Sequence, residues 1–427
     1  MARVVVLGAG VMGLAAAYHA AKYGHQVTVL EADKVAGGMA AHFDLDGLDI
    51  ERFYHFVCRT DRATFALLDE LGLGNAVQWR PTSMGYFYDG RLHGWGDPLS
   101  LLRFPHLSLV AKFRYGLHAF LSMRRRHWRD LDDQKAVDWL RRWVGDEAYD
   151  RVWRKLMELK FHRFADNVSA AWIWARIRRA GQSRRNLFQE ELGYIEGGSQ
   201  TLTDRLVQRI VELGGVIHLS TPAELVEVGN GAVKGVRTAS GYFAADRVVS
   251  TVPLPLIPNL IPDLPAPALD AYRRIANIGA ICIVHKLRRR LSPHFWINVN
   301  DARMDVPGMI EFSNLRKMEP AHVVYIPYYL PLDHPLFTQA DDALIERTRG
   351  YMKLINPELA DGDFLAARVG RLRYAQPVCP PGFARTLPPV RSPIDGLQIA
   401  DTSSYYPEDR GVSESVQMGR TMAEDIS

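Results

Sequence analysis

The chain has 427 residues, 47% of them hydrophobic and 23% charged, and a formal net charge of +4. That length and balance fit an ordinary globular protein of two or three domains and exclude a mini-protein, a collagen-like chain and a disordered one. Cys58, Cys282 and Cys379 are far apart in the sequence, giving neither a disulfide framework nor metal-ligand spacing, so a reducing, cytoplasmic setting without a bound metal is expected. The most apolar run, residues 248–264, is interrupted by Pro253, Pro255, Pro258 and Pro262, which argues against a membrane-spanning helix.

In chain order, residues 3–7 are a β-branched apolar run, Gly8-Ala9-Gly10-Val11-Met12-Gly13 follows, and residues 14–23 read as an alanine-rich helix. The pattern is strand, glycine turn, helix. Gly8 suits the tight turn, Gly10 lets backbone approach a pyrophosphate, and Gly13 permits close helix-to-strand packing. A second strand is expected over residues 26–30, with Glu31 at its end, where a carboxylate can take both ribose hydroxyls. The same cradle serves nicotinamide and flavin dinucleotides. Gly37-Gly38, followed by the small run Met39-Ala40-Ala41, offers a second backbone approach to a cofactor or a plain turn. A loop and an extended segment over residues 40–50 then return the chain towards Tyr54 and His55.

Residues 76–191 read as helical, and Trp139, Trp143, Trp153, Trp172 and Trp174 within them either line an apolar pocket or form core. Residues 101–187 hold 20 Lys and Arg against 9 Asp and Glu, leaving 32 against 39 elsewhere. This segment at +11 points to an anionic ligand or a membrane surface, or else to solvated arginine faces; no nucleic-acid partner is expected. Gly193 to Ser199 leads into a helix over residues 202–213, and a strand over residues 216–219 follows. Residues 280–285 and 323–330 are strand-like and suggest a sheet that floors a pocket. Ser413 is positioned to cap a final helix over residues 414–426.

Residues 4–38, joining two glycine motifs through Glu31, resemble the N-terminus of the FAD-dependent amine oxidase, protoporphyrinogen oxidase and phytoene desaturase superfamily. Residues 245–253 are similar to that superfamily's strand closing the FAD domain, and Gly396 to Asp401 to its last strand. Arg151-Val152-Trp153, residues 308–314 and residues 406–411 resemble a bacterial protoporphyrinogen-oxidase-like branch. The resemblance implies an α/β fold, with a Rossmann-like FAD-binding domain (residues 1–75, 192–255 and 385–427) interleaved with an α+β substrate-binding domain (76–191 and 256–384). It implies that Gly8, Gly10, Met12, Gly13, Glu31, Ala32, Gly37, Gly38, Met39, Ala40 and Thr251 border FAD. Ala223 would hold adenine through its backbone, Asp401 the ribityl or phosphate region, and Gly411, Val412 and Ser413 the flavin pyrimidine. With no cysteine after Asp401, FAD is expected to be non-covalent.

The activity implied is hydride transfer from a bulky or anionic organic substrate to flavin N5. His55, Tyr54, Arg176 and Tyr374 are the catalytic candidates, with Lys286 and Arg373 as further substrate-side candidates. Two other readings stay open at this point. Residues 47–60 loosely resemble the segment of UDP-galactopyranose mutase that follows its double glycine, with Arg59 where that family has a second histidine; a flavin-dependent mutase acting on a sugar phosphate, nucleotide-sugar or lipid-linked sugar would use the basic segment for phosphates. A non-catalytic flavin scaffold is the third. Peripheral contact with a membrane or a lipid-linked substrate fits any of them.

Overall fold

The protein, seen in a computed structural model that describes residues 1–186 and 188–426, is built on two sheets and a helical block. The first sheet is parallel and five-stranded, in the order Val216–His218, Gln26–Leu30, Arg3–Leu7, Arg247–Ser250, Leu397–Ile399. Its central strand pairs Val4 with Val27 on one side and with Arg247 on the other. Both faces of this strand are covered, which is why it reads as an unbroken apolar run. Val4 and Val6 pack against the helices Val11–Lys22 and Ser199–Glu212, while Val5 and Leu7 pack towards Val226, Val233 and Val236. Those three valines belong to an antiparallel layer, Ala223–Gly229, Ala232–Thr238 and Gly241–Ala244.

The second sheet has seven strands, ordered Phe364–Pro377, Asn277–Leu287, His322–Pro331, Gly308–Glu311, Trp296–Asn300, Met84–Tyr88, Arg91–Trp95. Alternation along Asn277–Leu287 divides its faces. Ile281 and Ile283 meet the helix Asp341–Ile355 through Leu344 and Met352, and Cys282 and Val284 face the cluster that includes Tyr54 and Phe56. The expected strands at 280–285 and 323–330 lie here, each longer than its apolar core.

Helices fill residues 98–182, with Trp139, Trp172 and Trp174 buried in one cluster. These three are therefore core rather than pocket lining, while Trp153 packs partly buried against them and Trp143 is exposed. Two expectations need correction. The expected helical block over 76–191 is strand at both ends: Val77–Thr82, Met84–Tyr88 and Arg91–Trp95 at one, Arg184–Asn186 and the start of Gln189–Ile195 at the other; Asp89 (φ 50°) and Gly90 (φ 75°) turn a tight hairpin. Residues 40–50 are not one extended segment: His42–Asp44 and Asp49–Glu51 form a hairpin through the left-handed Asp46 and Gly47.

Candidate active site

The glycine turn after Leu7 is fixed by contacts that leave no room for side chains at two of its three glycines. A Cβ on Gly13 would lie 1.9 Å from the Gly8 carbonyl oxygen, and one on Gly8, at φ 99°, would lie 2.7 Å from Thr251 Oγ1. Gly10 differs, since a Cβ there meets nothing within 4 Å and points into open space. The second glycine loop locks onto the first: the Gly37 amide donates to the Ala9 carbonyl at 2.8 Å, and a Cβ on Gly38 would lie 3.1 Å from Gly10 Cα. Glu31 braces the first loop, its Oε2 accepting from the Ala9 amide at 2.6 Å, while its Oε1 accepts from the Asp33 amide just beyond the strand at 2.7 Å.

These loops border a cleft of about 590 Å³. Gly8, Gly10, Met12, Glu31 and Ala32 line it, as do Gly37, Gly38, Met39 and Ala40. Ala223 stands at one end beside Pro222, and Thr251 beside Val252, its hydroxyl donating to the Leu7 carbonyl. Asp401 is buried at the cleft, where burial raises its pKa, and its two oxygens accept from the Leu254 and Ser403 amides. The helix Val412–Glu424 points its N-terminus at the cleft through Gly411 and Val412. Gly13 stands behind the lining rather than in it.

Ser413 corrects an expectation. Gly411, in extended conformation, occupies the cap position, so the helix begins before Ser413, whose hydroxyl accepts from the Thr64 amide away from the cleft. Ser415, a half-turn on, is the serine that lines it.

A second cavity of about 210 Å³ joins the cleft, sharing Met39, His55, Arg410, Gly411 and Val412 with it. His55 thus stands at the junction. Its Nδ1 is buried without a hydrogen-bond partner, and burial lowers the ring's pKa, leaving a neutral imidazole at pH 7. Tyr54 faces the inner cavity, edge-on to Trp296 and Tyr325, its hydroxyl 3.4 Å from that of Tyr329. Arg176, presented by the helix Ala170–Gln182, lies over the Trp172 ring and pairs with Asp409. Tyr374 lines the larger cleft, whereas its neighbour Arg373, on the opposite strand face, lies over Phe337. Lys286 lies outside both cavities and pairs with Asp46 at 2.9 Å.

Sequence reasoning missed three residues here. Arg410 lines both cavities and donates to the Ala375 carbonyl. Tyr405 lines the cleft with a buried hydroxyl that has no partner. Lys160 is buried behind the inner cavity, 4.5 Å from the Tyr329 ring and 5.1 Å from that of Trp172. Only Arg410 had a local signal, its place between Asp409 and the glycine that opens the last helix. Among the described residues no group of His, Cys, Asp or Glu is arranged to hold a metal ion, and no helix is long and apolar enough to cross a membrane.

Comparison with known proteins places this geometry. The chain is 22% identical to a 15-cis-phytoene desaturase of Glycine max over 99% of its own length and 79% of the relative's. Its fold is similar to that of cyclohexylamine oxidase from Brevibacterium oxydans (TM-score 0.75, 16% identity, 100% and 98% of the two chains). It is similar also to putrescine oxidase bound to putrescine (TM-score 0.74, 18% identity, the same coverage). The profile of the family described as flavin containing amine oxidoreductase matches residues 12–427, and the chain is accordingly a member of that family, an FAD-dependent oxidoreductase.

Proposed function

We propose that the protein oxidises a bulky organic substrate bearing an anionic group by hydride transfer to non-covalently held FAD. The observation that carries this reading is the direct junction of the glycine-lined cleft with an inner cavity across His55, Met39 and Arg410. The cleft fits FAD on its own residues. Gly10 leaves space where a pyrophosphate would pass, Tyr405 offers an unpartnered hydroxyl, and the last helix opens onto the cleft without a side-chain cap. In this reading Gly8, Gly10, Gly37 and Gly38 border the pyrophosphate, Glu31 the ribose, Ala223 the adenine and Asp401 the ribityl chain. The stretches 1–75, 192–255 and 385–427 form the cofactor domain, and 76–191 with 256–384 the substrate domain.

When bound, FAD supplies the hydride acceptor. The chain's own residues supply position, charge and a proton site. Tyr54, Trp296 and Tyr329 make an aromatic wall in the inner cavity, suited to an apolar substrate body. Arg176 and Arg410 share the one carboxylate of Asp409 at this wall, while the cavity's other charged residues are engaged elsewhere, Arg179 with Asp61 and Glu414 and Glu190 with the Thr82 hydroxyl. The charges of Arg176 and Arg410, after burial, push the Lys160 ammonium well below its ordinary pKa, which marks a corner short of negative charge. An anionic group on the substrate would complete it. His55, neutral and with Nδ1 free, can accept one proton as the hydride leaves.

The test is anaerobic mixing of the purified yellow protein with apolar carboxylates, amines and phosphate esters. Bleaching of flavin absorbance by an apolar anion, with acid releasing intact FAD, supports the reading. Reduction by cationic amines alone would overturn the substrate class. Turnover that requires pre-reduced flavin and leaves no net redox change would replace oxidation by isomerisation.

A further inference from the structure

We propose that the two helices Pro98–Arg103 and Leu109–Arg124 seat the protein on the surface of an anionic lipid bilayer. The longer helix is amphipathic the wrong way round for a globular protein. Its inward face carries Lys112, His118 and Ser122, all buried, while Leu109, Val110, Phe113, Leu117, Phe120 and Leu121 point outward. Phe113 and Val110 are each 69% exposed and Leu109 is 76% exposed. On a helical wheel these six fall within about a third of a turn, a continuous stripe. The buried polar groups are satisfied where they stand. Lys112 Nζ donates to the Leu102 carbonyl at 2.7 Å, and His118, held neutral by burial that lowers its pKa to about 4, lies against Trp139. The inversion is therefore a stable arrangement of this fold, and it places a large apolar surface in water, which monomeric globular proteins rarely tolerate.

The short helix extends the surface. It lies alongside the long one, where Lys112 reaches Leu102 and where a Cβ on Gly116 would lie 3.8 Å from Leu101, and it exposes Leu99 and Leu102. Charge selects the partner. From Pro98 to Arg129 the sequence contains no Asp or Glu, but it holds Arg103, Lys112, Arg114, Arg124, Arg125, Arg126 and Arg129. Arg103, Arg124, Arg126 and Arg129 are exposed. The bordering carboxylates are engaged: Asp97 takes the Leu99 and Ser100 amides, Asp130 pairs with Arg125, and Glu147 takes the Ser108 amide. An apolar stripe ending in unopposed arginines is the pattern of an interfacial helix on anionic lipid. The outer cavity, of about 410 Å³, opens at Asp97 and Ser100 of the same short helix and shares Met84, Glu190 and Phe295 with the inner cavity. The docking face therefore adjoins a cavity that borders the inner one.

Sedimentation of the FAD-loaded protein with vesicles tests this, comparing phosphatidylcholine alone with a phosphatidylcholine and phosphatidylglycerol mixture. The protein should pellet with the anionic vesicles, more weakly as salt rises. The paired substitution Phe113→Asp and Phe120→Asp should weaken binding at least about tenfold, with thermal midpoint and flavin content unchanged. Arg103→Glu with Arg126→Glu, both exposed, should do the same without touching the apolar stripe. Tyr242→Asp, exposed on a different sheet, should bind as the wild type does. No binding to anionic vesicles, or binding indifferent to both paired variants, would overturn the proposal. So would a wild-type dimer that the Phe113 and Phe120 changes convert to monomer without vesicle binding, since the face would then belong to a second copy of the chain.

Discussion

Gly10 and Gly13 stand three residues apart in one turn and answer to different physics, so the same kind of change should fail differently at each. A valine at Gly10 meets no protein atom within 4 Å of its Cβ but projects into the cleft; the variant should fold, purify colourless and show no flavin absorbance. An alanine at Gly13 drives its Cβ to 1.9 Å from the Gly8 carbonyl, so the strand-to-helix junction itself should break, and the loss should appear as insoluble or unfolded protein. His55 is the complementary case, a residue expected to matter to rate and not to occupancy. His55→Ala should retain full FAD content while slowing flavin reduction by at least about tenfold, about 1.4 kcal/mol. Loss of thermal stability with unchanged reduction rate in the folded fraction would make the imidazole a packing group. Gly10 and Glu31 were legible in the sequence because a phosphate cradle needs fixed residue types at fixed spacing. Lys160 and Tyr405 were not: Lys160 comes to the site only through the fold, against Tyr329 and Trp172, and Tyr405, though four residues after Asp401, belongs to no motif that marks it.

Elements were legible where one periodicity governed them. The helix Val11–Lys22 and the strand Asn277–Leu287 declared themselves through continuous apolar runs. Residues 77–95 did not, because they adjoin a long helical block and only the dipeptide Asp89-Gly90 marks the hairpin there. The last helix shows how element packing reaches the site. Gly419 lies where this helix crosses Val11–Lys22, so a Cβ there would lie 2.3 Å from the Met12 carbonyl and 2.8 Å from the Ala16 amide. Gly419→Leu should destabilise the protein by about 1–3 kcal/mol or more and lower FAD affinity as well, because the displaced helix carries Gly411 and Val412 at the cleft. The hairpin ending in Glu51 anchors another junction, with Glu51 Oε1 accepting from the Ser199 amide at the start of the helix Ser199–Glu212. Burial works to raise the Glu51 pKa, but the neighbouring His42 imidazole, 3.6 Å away, and the Ser199 amide outweigh it and hold the carboxyl at about 2. A folded pKa below the unfolded 4.5 stabilises fully above pH 4.5, and that contribution is lost as pH falls towards 2. Glu51→Gln should therefore destabilise the protein above pH 4.5 and flatten the acid limb of a stability-against-pH curve, meeting the wild type near its lower end.

At the scale of the whole molecule, no linker composition marks where the chain passes between its two large sheets. The physical consequence of that passage concerns the cofactor. Residues 7–40, 222–260 and 372–415 all contribute to one cleft, so a ligand bound there touches three separated stretches that share the five-stranded sheet or border it. Anything that binds this assembled cleft and not the unfolded chain stabilises by mass action, about 2.7 kcal/mol at a hundredfold excess over its dissociation constant. For 427 residues, an unfolding entropy of about 2.1 cal/mol/K per residue converts that to a rise of about 3 °C in Tm, and each further tenfold excess to about 1.5 °C more. Calorimetry of protein stripped of flavin by mild acid and titrated with FAD should show this logarithmic climb as one cooperative transition. NAD should leave the midpoint unchanged, and Gly10→Val should give a flat line with FAD, which separates cleft binding from unspecific effects of the nucleotide. A midpoint indifferent to FAD, or two transitions of which only one moves, would mean that the three stretches do not unfold as a unit around the cofactor.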